Sequence, residues 1–164
     1  MATLIGGPST HTLSSTELTQ GKAFGLGDKA TDHNGAEYRY VRAGANIGQY
    51  NTVWIDETFT ARPITAALAA TTGQVGSAQV AFANGAYGWV AVAGANLTIR
   101  VAANTTADAT LWTSDTAGVL TSAASTASHF PIFGLEAASA ASAGGVTNVA
   151  AFMAYPVVAK ATGL

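Results

Sequence analysis

Chemistry in a protein needs reactive side chains held at fixed spacings, and this chain offers few. The histidines are His11, His33 and His129. They lie far apart in polar loop or arm contexts. No HExxH motif or i, i+4 pair sets two imidazoles on one helix face as zinc ligands. Each reads as a solvated loop residue. The densest polar cluster is Asp28, Asp32, His33, Asn34 and Glu37. Asp32-x-Asn34-Gly35-x-Glu37 faintly suggests an oxygen-ligand calcium loop, but the closing bidentate glutamate is missing at the required distance. The better reading is a polar turn in which Asn34-Gly35 supplies positive φ. Asp56 and Glu57 are adjacent, so on a strand they would point to opposite faces and could not share an acid–base site. They read as a strand-ending turn. No serine sits in GxSxG, and neither GxxxxGK[ST] nor GxGxxG occurs; Gly25-x-Gly27 lacks a third glycine and a preceding strand. There are no cysteines, which excludes disulfides, thiolate zinc sites and cysteine nucleophiles. The reading is a non-enzyme with no catalytic, metal or cofactor-binding residue.

The aromatic residues allow one other chemistry. Trp54, Trp89 and Trp112 each lie in a strand candidate, where the plain role is packing in the core or a subunit interface. A carbohydrate platform would need exposed aromatics with polar companions on one face.

Composition sets the frame for these residues. The chain has 164 residues, enough for one domain with a tail and a real core. Hydrophobic types make up 49%, but charged residues only 10%, against a usual quarter. Ala, Thr, Gly, Ser and Asn take their place. Such a surface resists association weakly and suits a protein packed against neighbours. The net charge is −2, and no Lys/Arg cluster gives a nucleic-acid footprint. The N-terminus lacks the basic and apolar regions of a secretory signal. The longest apolar run, Val149 to Ala159, is too short to span a bilayer and carries Pro156. The expectation is a soluble protein made in the cytoplasm, with no nucleic-acid or membrane partner.

Residues 1 to 35 show no sustained period and carry isolated apolar residues: Leu4, Ile5, Leu13, Leu18, Phe24 and Leu26. Such a stretch cannot build its own core, and is expected to be an extended arm whose anchors contact a partner. Fully extended, about 35 residues reach on the order of 100 Å. Residues 36 to 164 form the expected β-rich domain. Tyr38 to Arg42 alternates as a strand does, and Thr52 to Ile55 is a short buried-strand candidate. Phe59 to Ile64 is a further strand, placed at an edge or an end by Pro63. Ile64 to Ala70 is the one short helix. Val75 to Phe82 and Tyr87 to Val92 flank Asn84-Gly85 as a hairpin, and Leu97 to Ala102 alternates again. Thr110 to Thr113, Val119-Leu120, Pro131 to Leu135 and Val146 to Ala159 complete the strands, with Ala137 to Gly145 a flexible tip and Ser122 to Ser128 a loop. The class is mainly β: a small β-barrel or sandwich with one short helix and the N-terminal arm.

Certain runs resemble a known group. They are Ile47-Gly48-Gln49-Tyr50-Asn51-Thr52-Val53-Trp54-Ile55-Asp56, Gln74-Val75-Gly76-Ser77-Ala78-Gln79-Val80 and Tyr87-Gly88-Trp89-Val90-Ala91-Val92-Ala93-Gly94. With Ala109 to Ser114, Ala117-Gly118 and Phe133 to Ala137, they resemble the small β-rich capsid decoration, or cement, proteins of tailed phages. The similarity spans roughly residues 37 to 159; its matching residues are turn glycines and strand apolars, and the arm is longer than in compact members. The resemblance implies a β-tulip-like fold and a virion protein on the outer surface of an icosahedral head. It implies the major capsid protein and further copies of itself, as a trimer, as partners. It implies no cofactor. A head-fibre or tail-associated module that binds a host surface glycan shares the class and the low charge. A ligand-binding or enzymatic barrel lacks its constellations, and an ice-binding surface lacks its Thr-x-Thr lattice.

Overall fold

The computed structural model describes residues 24–71, 73–123 and 128–159. The chain is mainly β, with a closed five-stranded barrel and one short helix. The strands are β1 (Lys29–Thr31), β2 (Glu37–Ala43), β3 (Thr52–Ile55), β4 (Thr60–Pro63), β5 (Gln74–Ser77), β6 (Tyr87–Val101), β7 (Leu111–Thr113), β8 (Leu120–Thr121), β9 (Pro131–Ala137) and β10 (Thr147–Val158). The helix α1 is Ala66–Ala69, with Thr65 Oγ1 accepting from the Leu68 backbone N–H as N-cap.

The barrel closes in the order β2-β4-β3-β5-β6 and back to β2. A second circuit, β6-β10-β9-β7-β8, returns to β6 through the single parallel pair Val101 and Leu120. The fifteen-residue β6 belongs to both circuits. Its parity explains how. Val90 and Val92 join Val41, Ala43, Val53, Ile55 and Ala61 inside the barrel. Trp89, Ala91, Leu97, Ile99 and Val101 face a larger core shared with β7–β10 and with the outer side of the barrel. Sheets closed in this way leave few unpaired edges.

Local chemistry sets the turns. Asp32 Oδ1 accepts the backbone N–H groups of Asn34 and Ala36, and Gly35 takes φ 83°, so β1 and β2 form the tight turn expected at Asn34-Gly35. Pro63 ends β4, beyond its last pairing with β2. Trp54 and Trp89 are core residues, while Trp112 is half-buried.

Three expectations need correction. The sheet begins at Lys29, whose strand pairs residue for residue with β2. Residues 24 to 35 therefore belong to the folded body, and the expected boundary at 35 and 36 falls inside it. Second, Val75 to Val92 is no hairpin. β5 stops at Ser77 and pairs with β3, meeting β6 only at Ser77 and Ala91. Residues 78 to 86 instead bond to residues 43 to 51, where Ile47 and Phe82 exchange backbone hydrogen bonds at 2.9 and 3.0 Å. Third, Leu97 to Val101 is the second half of β6. Gly94, at φ 140°, and Asn96, at φ 57°, absorb an irregularity without ending the strand; a side chain at Gly94 would strike Ala36.

Candidate docking surface

The sequence-singled polar residues do not converge. Asp28 Oδ2 accepts from the Gly25 N–H, while Asp32 is committed to its own turn. The Tyr38 hydroxyl donates to Asp32 Oδ2 at 3.4 Å. Burial, then the Asp32 charge, pushes the Tyr38 phenol up to about 12. Among the described residues no three His, Asp or Glu side chains could together hold a metal ion, and no helix is long and apolar enough to cross a membrane. His129 departs from the solvated reading. Its ring is buried, with Nε2 3.2 Å from the exposed Asp115 carboxylate.

Of the expected arm contacts, Leu4, Ile5, Leu13 and Leu18 lie outside the described residues. Phe24 packs edge-on against Tyr40 at 5.6 Å and tilted on Trp89 at 5.0 Å. Its ring is engaged within the chain. Leu26 remains outward-facing.

The surface that stands out lies elsewhere, on β9 and β10. Along β10 the side chains alternate: Val149, Ala151 and Met153 are buried, while Ala150, Phe152 and Ala154 face out. On the outward side Phe152 is 52% exposed, Val157 53% and, on β9, Phe133 53%. Val157 and Phe133 are direct cross-strand partners, so their side chains share one face. Ala154 and Gly134, both small and exposed, separate that pair from Phe152.

A bulge shapes the end of this face. From Met153 to Val157 β10 advances four residues while β9, from Leu135 to Phe133, advances two. A Cβ on Gly134 would sit 2.7 Å from the Ala154 carbonyl oxygen, so the close approach requires glycine there. Tyr155 rides on the bulge at φ 47°, and its hydroxyl donates to Glu37 Oε2 on β2. That hydrogen bond, with burial and the Glu37 charge behind it, raises the Tyr155 phenol above its ordinary value.

Opposite the bulge stands the β3–β4 turn. Asp56 Oδ1 accepts from Thr58 N, Thr58 Oγ1 and Thr60 N at 2.9, 2.6 and 2.9 Å. Burial pushes the Asp56 carboxyl up, but these hydrogen bonds and the Arg62 charge outweigh it and hold the group below its ordinary value. The turn places Phe59 at φ 58°. A cleft of about 400 Å³ runs between the two elements. Tyr155, Pro156 and Val157 form one side, Asp56, Glu57 and Phe59 the other, and Ile55, Gly73 and Gln74 complete it. Because Tyr155 and Val157 are also exposed apolar residues of β10, cleft and sheet face are continuous.

Sequence reasoning passed over these residues for a physical reason. Ala-Phe-Met-Ala-Tyr-Pro-Val is apolar at both parities, so the period of two carries no polar half to mark the outward side. The signal that could have found them is the excess: a one-sided sheet strand normally alternates apolar with polar. No protein-family model matches the chain, and no curated protein matches it either.

Proposed function

We propose that the chain is a structural protein of a tailed-phage head, which binds the outer surface of the capsid and stabilises contacts between major capsid subunits. The observation that carries this reading is the outward face of β9 and β10, apolar apart from Glu136 opposite Phe152. Phe133, Phe152, Tyr155 and Val157 are each about half exposed on the sheet. At roughly 150–250 Å² per large aromatic, they offer on the order of 400 Å² of apolar surface. A patch of that size on a soluble domain is commonly functional, and a specific interface takes about 800 Å² from each partner. The chain's 10% charge and the sequence resemblance point the same way.

The physics is linkage. A protein that binds only the assembled lattice stabilises that lattice by mass action. Association into a trimer would let several weak contacts act together through effective concentration. Residues 1–23, with Leu4, Ile5, Leu13 and Leu18, are the candidate arm reaching a neighbour.

The test is cosedimentation of the purified chain with heads of the phage that encodes it. Saturable, stoichiometric binding to expanded heads, lost in Phe152→Ser with Val157→Ser, is expected. Binding to a glycan array with no binding to heads would overturn the reading in favour of a host-glycan module. Deleting residues 1–23 spares Phe24 and β1; unchanged head binding after that deletion would discard the arm's part.

A further inference from the structure

The geometry points to a second, more selective contact: the cleft between the β3–β4 turn and the β10 bulge captures an extended polypeptide segment in which an apolar side chain is followed closely by lysine or arginine. The inference rests on the docking reading only in taking the occupant to be protein.

Shape gives the first argument. Phe59 and Tyr155 stand on opposite sides of the cleft, and both have left-handed backbones, φ 58° and 47°. That region disfavours bulky L residues. Each is held there by its surroundings: Phe59 by the hydrogen bonds that converge on Asp56, Tyr155 by the double bulge against β9. Strain retained in this way concentrates at ligand clamps, and bulges beside binding sites re-aim a side chain. Folding does not use the Tyr155 ring as core, since the residue is 46% exposed.

Charge gives the second. Glu57 is exposed and makes no hydrogen bond or ion pair among the described residues. The nearby cations face other groups. Arg39 lies 6.0 Å from the Phe59 ring centroid and donates to the Gly27 carbonyl at 3.1 Å, and the Arg62 charge acts on Asp56. The Tyr155 hydroxyl is taken by Glu37. What the cleft leaves unsatisfied is therefore apolar wall, the Gln74 amide and one carboxylate at its rim. Its 400 Å³ lies at the small end of ligand clefts, about 300–1,000 Å³. That suits one or two side chains with their backbone. A sugar ring would need more convergent hydrogen-bonding groups than Gln74 and Glu57 supply.

Isotope-labelled full-length chain titrated with three capped tetrapeptides tests this by amide chemical shifts. The probes are acetyl-Gly-Leu-Arg-Gly-amide, its Leu-Glu analogue and its Ser-Arg analogue. The Leu-Arg peptide is expected to shift Phe59, Gln74 and Tyr155 saturably, with both analogues several-fold weaker. Glu57→Gln should weaken the Leu-Arg peptide about three-fold and leave the Leu-Glu peptide unchanged. Tyr155→Gly suits the positive φ and keeps the fold; it should weaken binding about ten-fold without lowering Tm. Equal affinity for the three peptides, shifts confined to other regions, or no shifts would overturn the inference. If heads bind and the peptides do not, the cleft fails and the docking reading stands; if the peptides bind and heads do not, the reverse holds.

Discussion

β3 and β10 are both apolar strands, and they meet opposite fates. All four residues of β3, Thr52 to Ile55, are buried. Val53 and Ile55 point into the barrel, while Trp54 points into the larger core outside it. From Val149 onward β10 has the same chemistry but only one covered face, and Phe152, Tyr155 and Val157 stand outside. A strand enclosed on both sides is apolar because the fold requires it. A strand apolar on both sides but enclosed on one carries side chains the fold does not require. That surplus marks β10, with β9 beside it, as the surface available to a partner.

The contrast can be broken at its strongest point first. Ile55→Ala removes a 1% exposed side chain from the barrel interior and should cost about 2–5 kcal/mol in denaturant unfolding. A loss below about 1 kcal/mol would mean that the barrel interior is loosely packed and the distinction false. A smaller effect is expected at Tyr38, on the side of β2 that faces the larger core. Its phenol titrates near 12 when folded and near 10 when unfolded. Stability should therefore be complete below pH 10 and fall as pH rises towards 12, by on the order of 1 kcal/mol after solvent screening. Tyr38→Phe should shrink that alkaline limb, leaving the part that Tyr40 and Tyr155, raised in the same direction, contribute; a limb left unchanged would overturn the assignment to Tyr38.

The cleft's own turn should respond in the acid range. The Asp56 carboxyl is depressed in the folded state, so its contribution is present above the ordinary carboxylate value and lost as pH falls through the lower folded one. Asp56→Ala should cost about 1 kcal/mol at neutral pH. Asp56→Asn, which keeps an acceptor for Thr58 and Thr60, should cost less and remove the acid dependence. Equal losses from both, measured by thermal melts at pH 7, would show that the carboxylate charge matters and the acceptor geometry does not. The smallest stability effect belongs to the bare face. Phe152→Ser should change stability by less than about 0.5 kcal/mol while weakening head binding, which the added Val157→Ser should abolish. A large loss of stability there would sink the claim that β10 carries surplus apolar residues.

Much of the fold was legible where the signal is short-ranged. Alternation in Tyr38 to Arg42 located β2, and the compact Thr52–Ile55 run located β3. Asn34-Gly35 marked the β1–β2 turn, and the alanine-rich stretch after Ile64 marked the helix, though only Ala66–Ala69 is helical. The errors lie where pairing is non-local. Asn84-Gly85 does form a turn, with Gly85 at φ 82°, but the strands it was expected to join choose other partners. Gly94 reads locally as a stop, yet in place it accommodates Ala36 and lets β6 run on into the second circuit. His129 sits in a polar stretch, and only the folded chain buries its ring, 3.2 Å from the exposed Asp115 carboxylate.

The sequence alone determined the mainly β class, the short helix, the weakly charged character and the lack of thiol chemistry, because period, composition and turn residues act over a few positions. Tertiary structure decided which strands close the barrel, that β6 serves two circuits, and that the outward face of β9 and β10 lies bare beside a cleft. Those outcomes depend on hydrogen bonds and packing between residues far apart in the chain. Side chains that are equally apolar at both parities of a strand cannot say which parity the rest of the molecule will cover.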